Sequence, residues 1–190
     1  NAYRLRVGEP PSSYIRIADQ EKLLIGDNEW QIIVGYGHAP EHASLYCEAL
    51  GLLIAGDMLL PKITTNISVE ANNPDGNPLK SFLESIKKFH DIPHNVLILP
   101  SHGLPFKGGK TRAIMLDEHH SDRFSDIIAA CIKPQTAYQL LPVLFKRSLD
   151  SHQIFFAMGE AIAHLNYLWQ NKQLRRIVSS ENIISFETIT

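Results

Sequence analysis

Apolar positions fall into short runs in the first half of the chain and into helical spacing in the second. Tyr14-Ile-Arg-Ile17 and Lys22-Leu-Leu-Ile25 alternate as strands do, and Gly26-Asp27-Asn28 is a turn signal before the buried run Trp30–Val34. These three segments predict an antiparallel meander. Glu41–Leu45 fits a turn or the start of a strand, and Tyr46–Leu50 fits helix or strand equally. Leu52–Ala55 and Val96–Leu99 have the length and composition of buried strands. Between them, Met58–Val69 is apolar but broken by Pro61, which predicts an ordered loop. Glu70–Pro78, rich in Asn, Asp, Gly and Pro, predicts an exposed turn. Leu79, Phe82, Leu83, Ile86 and Phe89 then recur at helical spacing, with Lys80, Lys87 and Lys88 on the wet side.

Past His102 the period changes. Gly108-Gly109 reads as a hinge, and Thr111–Ile132 as a long amphipathic helix carrying Ile114, Phe124, Ile127 and Cys131. After Pro134 come two more helices, Thr136–Phe145 and about Ser151 to Asn171, the latter capped by Asp150. Leu174–Val178 and Ile183–Glu187 read as short strands joined by Ser179–Asn182. Three helices followed by a two-stranded ribbon is the order of a winged helix. The expected division is therefore residues 1–108 and 109–190.

The strand ends carry the candidate chemistry. Trp30–Val34 stops at Gly35-Tyr36-Gly37, where glycine lets the backbone turn tightly, and His38 follows. Leu52–Ala55 ends in Gly56-Asp57, and Val96–Pro100 in Ser101-His102-Gly103. Three strands thus deliver His, Asp and His to three loops, each beside a glycine. Imidazole nitrogen and carboxylate oxygen both suit a zinc-like ion, and iron or manganese accept the same donors. A carboxylate such as Asp57 can also bridge two ions, which an imidazole does not.

Composition narrows the classes. The 190 residues are 44 % hydrophobic and 20 % charged, ordinary for one soluble domain or a domain with a small module. A net charge of -2 gives no reason to expect general nucleic-acid affinity. No apolar run approaches the roughly 18 residues of a membrane span. The two cysteines, Cys47 and Cys131, are far apart and read as small core residues, which points to a reducing, cytoplasmic setting. Asn1-Ala2 resembles the remnant of a cleaved tag, so residue 3 is expected to be an internal position of a longer protein, with Tyr3–Pro11 a poorly packed lead-in.

The stretches Gly37-His-Ala-Pro-Glu-His42, Gly56-Asp57, Leu60–Ser68 and Ser101-His102-Gly103 together resemble the metallo-β-lactamase-fold hydrolases. They are most similar to the branch with a C-terminal winged helix, which includes a lactamase-like endoribonuclease. The resemblance implies that His38 is a ligand of a first metal, Asp57 the bridging and catalytic ligand, and His102 a ligand of the second, with Thr64 and Asn66 lining the substrate pocket. His42 matches a position that is not a ligand. The family's hallmark His-x-His-x-Asp-His is absent: His119-His120 and His90 with His94 have the wrong spacing and read as solvated histidines on or beside helices. The implied fold is α+β, the C-terminal half of an αββα metallo-β-lactamase sandwich followed by a mostly helical winged-helix domain. The implied function is that of a fragment of a dizinc hydrolase, acting on a small-molecule ester or thioester, or on RNA, through metal-activated water. Alone, the fragment is expected to be catalytically incompetent.

An alternative is a nucleic-acid-binding or protein-interaction module in residues 109–190. The third helix, Ser151–Trp169, is apolar over most of its length and acidic at Asp150 and Glu160, with Lys172, Arg175 and Arg176 only beyond its end. That argues for a packing or substrate-shaping lid over groove readout. Half a sandwich would also leave apolar sheet surface uncovered, which favours a homo-oligomer.

Overall fold

In the computed structural model, which describes residues 8, 9 and 11–189, the run Trp30–Val34 forms the middle of a strand, β2 (Asn28–Gly35). It is hydrogen-bonded on one side to β1 (Lys22–Ile25) and on the other to β3 (His42–Cys47), both antiparallel. β4 (Leu52–Gly56) continues the meander, and β5 (Leu97–Pro100) adds parallel to β4. The sheet order is β1-β2-β3-β4-β5. A parallel neighbour needs a crossover, and here it is the loop after Asp57, helix α1 (Pro78–Ile86) and a 3₁₀ turn over Lys87–Asp91. Asn77 caps α1, its Oδ1 accepting from the Lys80 N–H, and Pro78 opens the first turn, where its missing N–H costs nothing.

Three long or capped helices follow: α2 (Gly109–Ala130), α3 (Ala137–Leu144) and α4 (Ser151–Gln170). Thr136 with Gln139 and Asp150 with Gln153 close reciprocal capping boxes on α3 and α4. The antiparallel ribbon β6 (Leu174–Val178) and β7 (Ile184–Thr188) ends the described chain. The result is a mixed α+β fold. No helix among the described residues is long and apolar enough to cross a membrane.

Two hydrophobic clusters hold it together. The first joins one sheet face (Ile33, Leu53, Ala55, Ile98) to Phe82 of α1 and to Ala113 and Leu116 of α2. The second joins Ile127 and Cys131 at the far end of α2 to α3, α4 and Phe186 of β7. α2 is therefore the wall common to both. The opposite sheet face is closed at Ile32 and Cys47 but less covered towards β4 and β5: Leu45, Leu52, Leu97 and Leu99 are half-buried there and Ile54 is exposed.

Several expectations change. Tyr14–Ile17 is not a strand; Tyr14 and Ile15 are 86 % and 91 % exposed, and the chain first meets β2 at Asp19, whose Oδ1 accepts from the Val34 N–H at 2.7 Å, then at Gln20 and Glu21, through bonds to Ile32. Alternation alone does not make a strand where no face is buried. His120 is not solvated: it is 1 % exposed, and its Nδ1 lies 3.1 Å from Nε2 of the equally buried His164. Most of the Tyr3–Pro11 lead-in, like Asn1-Ala2, lies outside the described residues.

Candidate metal centre

The loops after β2, β4 and β5 open at one end of the sheet and bring His38, Asp57 and His102 together. His38 Nε2 lies 3.4 Å from Asp57 Oδ2, and His102 Nε2 lies 3.5 Å from Asp57 Oδ1. Each carboxylate oxygen thus faces a different imidazole. Among the described residues no group of three or more His, Cys, Asp or Glu side chains is arranged around a single ion; the arrangement is two pairs that share Asp57.

The tautomer of His38 follows from its neighbour. Its Nδ1 is 2.9 Å from the Asn66 carbonyl, which can only accept, so Nδ1 carries the proton and the Nε2 lone pair faces Asp57. Such a carbonyl contact on the far nitrogen is how ligating histidines are usually oriented. Asp57 is fixed from three directions. Ser101 Oγ donates to its Oδ1 at 2.8 Å, Thr65 Oγ1 donates to its carbonyl at 2.6 Å, and its own N–H donates to His42 Nε2 at 3.3 Å.

His42 therefore supports Asp57 from β3. Accepting at Nε2 leaves its proton on Nδ1, which is buried without a partner, and burial together with the nearby His38 holds its pKa below the ordinary value. Gly56 makes this packing feasible. Its φ is +53°, and a Cβ there would sit 2.5 Å from His42 Nε2.

Asn66 contributes its carbonyl to His38, while its Oδ1 accepts from Ser68 Oγ at 3.1 Å. Thr64 is half-buried, and the hydroxyl that reaches the Asp57 loop belongs to its neighbour Thr65. Arg112, in the first turn of α2, clamps the same loop: Nε donates to the Leu60 carbonyl at 2.7 Å, and Nη2 to those of Lys62 and Ile63 at 3.2 and 2.9 Å. Nothing in the local sequence marks Arg112 or Thr65 for these roles, because each bonds backbone rather than a partner side chain. A cleft of about 340 Å³ opens beside His38, lined also by Tyr36, Ser68, Glu70 and Asn73.

A family model described as the metallo-beta-lactamase superfamily matches residues 3–102. The chain belongs to that superfamily. A second, described as the metallo-beta-lactamase-like C-terminal domain, matches residues 124–189. The chain is 26 % identical over 143 residues to a probable metallo-hydrolase, YqjP, of Bacillus subtilis, covering 73 % of this chain and 44 % of that protein. Among solved structures it is similar to a beta-lactamase domain protein from Burkholderia ambifaria (42 % identity, TM-score 0.91, 94 % of this chain and 53 % of that one). It is also similar to a metallo-beta-lactamase family protein from Thermus thermophilus (30 % identity, TM-score 0.80, 95 % and 56 %). The chain thus spans about half the length of these relatives, between 44 % and 56 %.

Proposed function

We propose that this chain contributes one side of a dinuclear metal centre in a hydrolase of esters, thioesters or phosphodiesters. His38 and Asp57 would hold one ion, and Asp57 and His102 the other. The observation that carries the reading is the division of the Asp57 oxygens between two histidines, at 3.4 and 3.5 Å. The donor set fits zinc, with a neutral imidazole nitrogen freed by the Asn66 carbonyl and a carboxylate presenting one oxygen to each side. Iron and manganese remain compatible with the same donors. When bound, such ions supply Lewis acidity and make water acidic enough to attack a carbonyl or phosphoryl group at neutral pH.

The chain's own residues hold and orient. Asn66 keeps the His38 proton on Nδ1. Ser101, Thr65 and the Asp57–His42 contact fix the carboxylate, and Arg112 fixes the loop between Asp57 and Asn66. Each ion would have two protein donors here, where catalytic zinc takes three and a water. The missing donors and the absent His-x-His-x-Asp-His motif support the reading of a partial site, and so does the half-covered face with Leu45, Leu52, Leu97 and Leu99. Hydrolysis is accordingly assigned to a longer parent protein or an assembly, not to this chain alone. Residues 109–190, with their helix–helix–helix–ribbon order, are assigned to a winged helix acting as a lid, with α2 shared across the boundary. Arg175 and Arg176, the two arginines after α4, are paired with Glu187 and Asp75, which favours the lid over nucleic-acid readout.

Calorimetric titration of this chain with zinc, beside His38→Ala and Asp57→Asn, tests the reading. The expected result is zinc uptake weakened at least tenfold in both variants. Identical titrations for wild type and Asp57→Asn would overturn it.

A further inference from the structure

We propose that a second, larger cleft, between residues 66–74 and the first half of α4, binds the apolar acyl group of an uncharged ester or thioester substrate. The proposal rests on the hydrolase reading above and narrows its substrate class. The cleft holds about 570 Å³, within the range of small-molecule pockets. Its walls are chiefly Val69, Ala71, Phe155, Phe156, Met158 and Ile162. Phe155 is 76 % exposed and Phe156 42 %, packed edge to face at 5.6 Å between ring centroids, an aromatic pair left open to solvent at a cleft mouth.

The cleft is built onto the candidate centre. Asn66 lines it, and the same residue's carbonyl holds His38. Ser68, Val69 and Glu70 line both this cleft and the smaller one beside His38, so a strip of three residues separates the two. That strip is fastened to α4. The Val69 N–H donates to the Gly159 carbonyl at 3.2 Å, and a Cβ at Gly159 would lie 2.7 Å from Ser68 Cβ and Oγ. The absence of a side chain at 159 therefore sets how closely the helix approaches the loop that carries Asn66.

Charge selects against the anionic alternative. Among the described residues neither cleft has a Lys or Arg in its lining, and Glu70 contributes to both. Phosphodiester chains are held mainly by Lys and Arg, and the nearby Arg176 is engaged with Asp75. An apolar chain attached to a neutral carbonyl matches these walls; a ribonucleotide backbone does not.

The test uses the whole chain without added metal and S-octanoyl-N-acetylcysteamine as the probe, followed by calorimetry and by NMR. Saturable binding is expected, at least tenfold tighter than for the S-acetyl analogue and for a uridine dinucleotide. Ala71→Trp, on an exposed turn at the cleft wall, and Ile162→Trp, inside it, are each expected to weaken octanoyl binding at least tenfold. Unfolding of Ile162→Trp would leave Ala71→Trp to decide. Equal affinity for the octanoyl and acetyl probes, preference for the dinucleotide, or unchanged binding in Ala71→Trp would overturn the proposal. So would sedimentation in which concentration-dependent dimers displace the probe, since a second copy would then be the occupant. The two readings fail separately: octanoyl binding with no zinc uptake sinks the metal centre alone, and zinc uptake with no octanoyl binding sinks the cleft alone.

Discussion

Acidification should destabilise this fold through two histidines that lie away from the candidate centre, and one carboxyl group should mask half of the effect. His164 Nδ1 donates to the Glu160 carbonyl at 2.9 Å, so its Nε2 must accept from His120 Nδ1 at 3.1 Å, and His120 Nε2 is left buried without a partner. Burial, then the mutual effect of neighbouring charges, lowers the pKa of His120 to about 3, and burial lowers that of His164 to about 4. Both folded pKa values lie below the ordinary 6.5, so below that pH the unfolded chain binds protons that the fold refuses. At about 1.4 kcal/mol per pH unit for each group, the pair costs about 4 kcal/mol between pH 7.5 and 5. Glu160 has the opposite sign: burial raises its pKa from 4.5 to about 7, so over that window the fold holds a proton that the unfolded chain releases. That recovers about 2 kcal/mol, leaving a net loss of about 2 kcal/mol. Glu160→Gln fixes the neutral form. Its expected behaviour is a gain of about 3 kcal/mol at pH 7.5 and a loss near 4 kcal/mol on going to pH 5. Urea unfolding by circular dichroism at four pH values in that window measures both slopes. Parallel pH profiles for wild type and Glu160→Gln would refute the reasoning.

Arg112→Ala leaves the Leu60, Lys62 and Ile63 carbonyls without their donor, so a loss of roughly 2–3 kcal/mol in urea unfolding is expected. Arg112→Lys should recover less than half, because an ammonium lacks the planar fork. Gly56→Ala combines a left-handed backbone with a contact to His42, and a loss of about 2–4 kcal/mol in the same assay is expected. Asn166 Nδ2 donates to the carbonyls of Pro74 and Gly76 at 2.9 Å each; Asn166→Leu should cost roughly 2–3 kcal/mol and raise amide exchange in the 71–77 turn.

The strands that carry His38, Asp57 and His102 were legible because each is a short apolar run ending in glycine or proline, a local signal. The same holds for the three long helices, whose ends fall within two residues of the expected ones. Other features were not legible, for physical reasons. Tyr14–Ile17 has strand alternation but no buried face to reward it. His119-His120 looked solvated because two adjacent polar residues on a helix give no hint that α2 turns one of them against His164. The support that His42 gives Asp57 from β3 has no sequence signal either, since it needs the β3–β4 pairing to bring its Nε2 to the Asp57 N–H. Thr65 and Arg112 act through main-chain carbonyls, and a carbonyl has no letter in a sequence.

α2 has a mechanical consequence. Its first turns, with Ala113 and Leu116, are embedded among strands and α1, while Ile127 and Cys131 near its other end are embedded among α3, α4 and β7. A rigid rod anchored at both ends transmits melting from one anchorage to the other. The molecule should therefore denature in one step rather than two, its slowest-exchanging amides should run the length of that helix, and a cut at residue 108 should yield no independently folded half.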